Sequence, residues 1–597
     1  MLDPGLRRGG AGLWRAVFLA WALAAIVLTL AMFRDIANLH FPDPDDAMRL
    51  LEVRDWLAGQ SWWDVGQHRL NHGAFPMHWS RLVDLPLAAV LALTSPLFGG
   101  EVATRIAMVV VPLLSLLAAM LLIARITAAV ADRETTRYAV LLAPLSVPLI
   151  YQLRPMRIDH HGWQIVLALA AVALLLARPT WRAGALAGLA LAALLTISLE
   201  GMPIAATIAG VAALAWAWRP ERRAFLRGMM GSLAGGAMLL HLGTRGDGFF
   251  APACDAMAPG WLAMLAAAAV GTSVATLADR TLAMRIGALV AAGILTAATL
   301  VLVSPTCLAG PFATLPPIVY RVWYLNVLEG RPVWEQGGHW AAMSVGLPIV
   351  GLVGSLRAWR AAEGETKTRW AMLLVLLAAA FAISIMVNRA GATANALAIP
   401  GGAALLLTLL RRARRVTSLP ARLGATAAAL LLASPGQAAA IALVLGNALA
   451  ADTVLPAADR PNRPACDRAS DARGIGREPA GIVFAPIDVA PDLLATTHHA
   501  SVAGGYHRAP GAIAQVLEGF ASAPDAARRI ILASGADYLV ACPGLNETEL
   551  YRRDYPNGLW ARLERGERFD WLTPIKLDTA AMAWRVNRRL PLPTPAR

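Results

Sequence analysis

Three short segments of this 597-residue chain hold chemistry-capable residue types at close spacing. In the first, Phe41 to Arg49, the side chains Asp43, Asp45 and Asp46 crowd three carboxylates into four positions. Like charges that close repel, and a bound cation or a proton-transfer task relieves the cost. A Pro-stiffened helix cap would use the same residues for structure alone. The second runs from Arg154 to Gly162, where Asp159 and His161 pair a carboxylate with an imidazole two positions apart, and His160 stands between them. That combination suits a divalent cation, while Arg154 and Arg157 offer charge to a phosphate; the competing account is His and Arg snorkelling at a helix end. The third, Val327 to Glu335, contains Glu329 and Arg331 and by itself reads as an ordinary amphipathic loop.

The elements that must position these residues are membrane helices. Hydrophobic residues make up 57% of the chain and charged residues 15%, a ratio outside soluble enzymes and disordered chains alike. The apolar residues fall in runs of roughly 17 to 25, enough to cross a ~30 Å hydrocarbon core as helices, which excludes an alternating β-barrel. The first run, Leu13 to Phe33, follows Arg7 and Arg8 and lacks a signal-cleavage site, so it is expected to stay as a span with a cytoplasmic N-terminus. Asp84 to Gly99, short and broken by Pro86 and Pro96, is expected to be an interfacial helix. Further runs lie near 103–124, 138–153, 163–178, 183–199, 203–218, 226–243, 260–278, 286–304, 339–357, 369–387, 392–410 and 423–447, giving thirteen spans in all.

The 53 Lys and Arg against 39 Asp and Glu give a net charge of +14, which in such a chain reports loop orientation rather than nucleic-acid binding. With this parity every cytoplasmic loop is basic, from Arg125, Arg133 and Arg137 to the run Arg411, Arg412, Arg414 and Arg415. The segments 34–102 and 305–338 then become external loops, residues 1–449 a transmembrane module, and 450–597 an external domain on a multi-pass protein of the cell's inner membrane. In that tail, β-type runs at Gly481–Ile487, Ile530–Leu532 and Tyr538–Ala541 alternate with helical patterns such as Ala512–Phe520, predicting a small α/β domain. Gly231 and Gly235 form a GxxxG expected to pack inside the bundle.

All four cysteines fall on the external side, Cys254 and Cys307 in loops and Cys466 and Cys542 in the tail. Disulfides are expected there, a tail pair and a loop pair being favoured among the three connectivities, with unpaired small hydrophobes as the alternative.

In this order and topology the three segments resemble the catalytic subunit of oligosaccharyltransferases and its wider class, the GT-C glycosyltransferases. Asp45-Asp46 resembles the acidic motif of the first external loop, Asp159-His160-His161 the D-x-H motif, and Val327-x-Glu329-x-x-Pro332-x-Trp334 the Glu-containing third motif. Asn388-Arg389 is similar to the site of the family arginine that contacts the donor's phosphate. The family's C-terminal W-W-D acceptor motif has no counterpart in the tail; Trp62-Trp63-Asp64 lies in the first external loop and is read as coincidence.

The resemblance implies a polyprenyl-phosphate or polyprenyl-pyrophosphate sugar donor held among membrane lipids, and an envelope acceptor that is a glycan, lipid or protein. A divalent metal, Mg2+ or Mn2+, would be held by Asp45, Asp159 and His161; Arg389, Arg157 and Arg154 would meet phosphate; Asp45 or Asp46, then Glu329, would act as base, and displacement would invert the anomeric centre. The rival reading is a transporter of lipid-linked saccharides, prompted by Glu200 beside Gly201 and Pro203. The gathering of ionisable residues at one face favours the enzyme. A scaffold whose tail presents His498-His499 and His507-Arg508 is the third reading, against which these stand as ordinary surface histidines.

Overall fold

The computed structural model describes residues 10–450 and 464–588. Arg7 and Arg8, and most of the expected junction after residue 450, lie outside the described residues. The described residues are mostly helical, with one small sheet among them in the C-terminal segment. The elements used below are α1 (Gly10–Ala31), α2 (Pro44–Leu57), α3 (Asp84–Phe98), α4 (Gly100–Val130), α5 (His161–Leu175), α6 (Trp181–Ile197), α7 (Met202–Trp218), α8 (Arg223–Arg245), α9 (Gly338–Ala361) and α10 (Gly391–Ala413).

Among the described residues seven helices are long and apolar enough to cross a membrane, or eight if one bent pair is a single span. Helices α5, α6 and Pro259–Ala275 stand where spans were expected but run only 15, 17 and 17 residues. Two expected spans are not single helices. The run 138–153 is interrupted by a 3-10 turn at Ala143–Leu145, because Pro144 and Pro148 each remove a backbone donor from the ladder. The run 423–447 bends by 101° between Leu419–Ala433 and Pro435–Gly446, at the Ser434-Pro435 step. Asp84–Phe98 is a helix, as expected.

Helix packing relies on backbone approach at glycines, though not at the expected pair. A Cβ at Gly188 of α6 would lie 2.1 Å from the Met229 carbonyl oxygen of α8, and one at Gly401 of α10 would lie 2.1 Å from the Gly351 oxygen of α9. Gly231 and Gly235 instead have nothing within 4 Å of such a Cβ. Their GxxxG faces away from the bundle, because the contact face of α8 is set by Gly228, Leu233 and Gly236.

The C-terminal sheet comprises β1 (Ile482–Phe484), β2 (Ala500–Ser501), β3 (Tyr538–Ala541), β4 (Leu572–Ile575) and β5 (Met582–Val586) in the order β2-β1-β3-β5-β4. Strand β1 pairs parallel with β2 and β3, whereas β5 pairs antiparallel with β3 and β4. Ile530–Leu532, expected as strand, lies inside helix Pro524–Ala533. Pro524 starts that helix, and Ala527 and Ile531 are buried four residues apart, so helical periodicity governs the short apolar run. This segment docks onto the N-terminal elements: Arg54 Nη1 donates to the Ala495 carbonyl at 3.0 Å, and Arg473 Nη1 to the Asn38 carbonyl at 2.8 Å. Both expected disulfides form, Cys254–Cys307 and Cys466–Cys542, with Cα separations of 5.1 and 5.5 Å.

Candidate functional site

The first acidic segment is built by helix capping. Asp43, in extended conformation, accepts the Asp45 backbone N–H at 3.0 Å, and Pro44 begins α2, where its missing N–H costs nothing. The first turn of α2 then carries Asp46 inward and Asp45 toward a cavity of about 1210 Å³.

Asp46 is fully buried and welds this helix to the second segment. Its Oδ1 accepts the backbone N–H groups of Ile158 at 2.8 Å and Asp159 at 3.1 Å, and its Oδ2 accepts Arg157 Nη1 at 3.0 Å. Arg157 also reaches Asp43 at 3.1 Å, Asp159 at 2.5 Å and Gln152 at 3.0 Å. Burial pushes the Asp46 carboxyl up to about 8, Arg157 opposing. Burial would raise Asp159 too, but there Arg157 overrides it and holds the carboxyl well below the usual range. Asp45 is pushed well up by burial and by its neighbours Asp43, Glu329 and Asp159.

Three further helix starts converge on the same cavity. His160 caps α5 and His161 opens it; Glu200 lies in the 3-10 turn Leu199–Gly201 before α7; Arg389 lies in the turn Asn388–Ala390 before α10. The loop bearing Glu329 is tied to that last turn, since Asn388 donates its N–H to the Arg331 carbonyl at 3.1 Å. Arg389 Nη2 thereby meets Glu329 at 3.1 Å, and Nη1 pairs with Glu200. Glu200 lies 3.5 Å from His160 Nε2, and Glu329 3.8 Å from His161 Nε2. Burial, followed by the charge of His161, lowers the His160 imidazole and favours its neutral form.

Thus Asp43, Asp45, His160, His161, Glu200, Glu329 and Arg389 line one cavity, with Asp46, Arg157 and Asp159 buried behind it. Asp159 spends its oxygens on Arg157 and on the His161 N–H, although Oδ2 stays 4.0 Å from His161 Nε2. Within this charged cluster, His160, His161 and Glu200 offer ligand atoms within 4.8 Å of one another. Two imidazoles and a carboxylate, with Glu329 adjoining, fit a divalent cation. Arg331 lines the cavity but pairs with Glu335 at 2.6 Å. Arg154 is not among the lining residues; its guanidinium stacks over Tyr151 at 4.7 Å. Trp62 and Trp63 donate to the Gly243 carbonyl at 2.7 and 3.2 Å and also lie outside the lining.

Sequence reasoning missed the brace beneath α2. Arg49 Nη1 meets Asp84 Oδ1 at 2.8 Å, Arg81 Nη1 meets Asp84 Oδ2 at 3.2 Å, and the Arg49 guanidinium lies 4.4 Å over the Trp79 ring. Charged residues inside the otherwise apolar neighbourhood of α3 were the available signal.

No family model and no curated protein matches this chain. Solved structures do. An archaeal oligosaccharyltransferase, AglB from Archaeoglobus fulgidus, in complex with an inhibitory peptide and a dolichol-phosphate, aligns with TM-score 0.63 at 14% identity over 96% of this chain and 75% of that one. The Archaeoglobus fulgidus oligosaccharyltransferase tethered with an acceptor peptide containing the NVT sequon aligns with TM-score 0.62 at 14% identity, over 98% and 75%. The same enzyme in complex with Zn and sulfate aligns with TM-score 0.55 at 16% identity, over 87% and 67%. The chain therefore has the fold of the archaeal oligosaccharyltransferases, the architecture its three motifs resemble.

Proposed function

We propose that this chain is a GT-C-type membrane glycosyltransferase that moves a saccharide from a polyprenyl-phosphate or polyprenyl-pyrophosphate donor to an envelope acceptor at the external face. The observation that carries the reading is the meeting of Asp45, His161, Glu329 and Arg389, drawn from four distant segments, in one cavity. The fold, shared with a protein solved with a dolichol-phosphate, supports a lipid-linked donor.

In this reading Arg389 holds the donor's phosphate, aided by the start of α10, whose backbone N–H groups favour anions. Arg389 is shared in the free protein between Glu200 and Glu329, so donor phosphate competes with those carboxylates for it. Asp45, which lines the cavity without giving itself to Arg157, takes the proton of the acceptor nucleophile. As the acceptor atom bonds to the anomeric carbon, the bond to phosphate oxygen breaks and the configuration inverts. Arg157 acts as a positioning residue, holding Asp43, Asp46 and Asp159 in register. A divalent cation would be held by His160, His161 and Glu200, with Glu329 or Asp159 adjoining, and would neutralise charge on the leaving phosphate. Two imidazoles suit Mn2+ or Zn2+ better than Mg2+.

The acceptor in this proposal is a glycan or lipid rather than a sequon-bearing protein, because the only Trp-Trp-Asp in the chain braces Gly243 instead of facing the cavity. The test is transfer from a radiolabelled polyprenyl-phosphate sugar by the purified full chain in liposomes. Covalent transfer that is lost in Asp45→Ala supports the reading; relocation of the lipid-linked sugar across the bilayer without transfer would replace it with the transporter.

A further inference from the structure

On another wall of the cavity, His78, Asp255 and His507 offer ligand atoms within 4.8 Å of one another. His507 Nε2 stands 2.8 Å from Asp255 Oδ2, and His78 Nδ1 stands 4.0 Å from the same oxygen. Two atoms each bound at about 2.1 Å to a Zn2+ ion lie at most about 4.2 Å apart, so both approaches to Asp255 are within coordinating reach. His78 Nδ1 is buried with no hydrogen-bond partner. Such an atom in a polar setting has a desolvation cost that a ligand would offset.

The surroundings hold the donor atoms in place. Arg508 grips Asp255 through both oxygens, Nε to Oδ2 at 2.8 Å and Nη2 to Oδ1 at 2.7 Å. A carboxylate has about four lone-pair directions, so this fork orients Asp255 and leaves capacity on Oδ2. Arg245 donates to the His78 carbonyl at 2.6 Å, and Phe312 packs 5.0 Å from the His507 ring. Asp255 follows Cys254, whose disulfide to Cys307 pins the loop. The three side chains keep only 12 to 19% exposure. Trp79 stands between this cluster and the first, its ring 6.4 Å from His78 and 6.3 Å from His160.

We propose that His78, Asp255 and His507 form a second divalent-metal site, of the imidazole-carboxylate class that takes Zn2+, which clamps the C-terminal segment to the rest of the chain. His78 comes from the segment between α2 and α3, Asp255 from the disulfide-pinned loop after α8, and His507 from beyond β2, so one ion would join three separate parts of the molecule. Binding replaces the His507–Asp255 hydrogen bond, His507 giving up its Nε2 proton to solvent if it carries one.

The full chain, purified in detergent and stripped with chelator, is titrated with Co2+ and Zn2+. Beyond any ion held at His160, His161 and Glu200, one Co2+ equivalent with the visible absorption of an imidazole-ligated ion is expected, lost in His78→Gln and in His507→Gln and retained in His161→Gln. Arg508→Gln should keep the site with about 10- to 100-fold weaker affinity. Zn2+ should also raise the unfolding temperature of the unsubstituted chain more than that of either variant. An intact Cys254–Cys307 bond in each variant, read by mass spectrometry, verifies that the loop is folded. Absence of bound Co2+ in the unsubstituted chain, unchanged binding in both His variants, or loss of this equivalent in His161→Gln would each overturn the proposal.

Discussion

Arg157 and Asp46, 111 positions apart, form a buried ion pair at 3.0 Å that joins the first acidic segment to the second. Neither group is free to meet a ligand: Asp46 also receives two backbone N–H groups, and Arg157 holds three carboxylates at once. Their joint task is to set where Asp45 and His161 stand.

Removing the cation therefore leaves uncompensated buried charge. Arg157→Ala should destabilise the fold by about 3–5 kcal/mol, the usual result of breaking a buried pair from one side. Thermal unfolding in detergent measures this, and a variant within 1 kcal/mol of the parent chain would show the network to be dispensable.

Asp45 and Arg389 should separate kinetically. Asp45→Asn should lower kcat by about 10²-fold or more with donor KM little changed, as for loss of a general base. Arg389→Ala should chiefly raise donor KM, because its charge meets phosphate in the ground and transition states alike. Steady-state kinetics with a polyprenyl-phosphate sugar decide it; equal effects on both constants in both variants would merge the roles.

A pH effect is expected in the C-terminal segment. Burial, with the charge of Asp488, raises the Glu547 carboxyl from the ordinary 4.5 to about 8, while Tyr551 donates to it at 2.6 Å. A folded-state value above the unfolded one means the native form holds the proton longer. Its contribution is full below about 4.5 and is lost as pH rises through about 8. The unfolding temperature should thus fall between pH 6 and pH 9, and less so in Glu547→Gln; equal falls in both would refute the assignment.

The Cys466–Cys542 bridge closes a 76-residue separation between the segment preceding β1 and the end of β3. Replacing both cysteines by serine should cost about 2–5 kcal/mol in that segment. Differential proteolysis of residues 464–588 reads the change, and non-reducing peptide mapping should recover both disulfide pairs.

Orientation is checked independently. The parity read from the basic loops predicts a cytoplasmic N-terminus and an external C-terminus, so a C-terminal fusion should be active only as a periplasmic reporter. Activity of a cytoplasmic reporter there would invert the parity on which the external site rests.

Much of this was legible because it is local. Long apolar runs must be helices where backbone groups have no other partner, Asp43-Pro44 carries its own cap and helix start, and the division of the four cysteines into a loop pair and a tail pair favoured the connectivity that forms. The three motif segments were likewise read from residue type and spacing, and the cavity brings members of all three together. Other features depended on neighbours distant in sequence. Glu200 stood out as a polar residue near a span, yet only the packing of helix starts puts it between Arg389 and His160. Arg157 reads as a phosphate ligand until three carboxylates close around it, and Arg154 until it turns onto Tyr151. The GxxxG of α8 has the right spacing for packing, but the rotation of that helix chooses Gly228 and Gly236 instead. Residue type sets what a side chain can do; the tertiary arrangement determines which opposite charge reaches it first, because Coulomb energy and desolvation depend on distance and burial rather than on position in the chain.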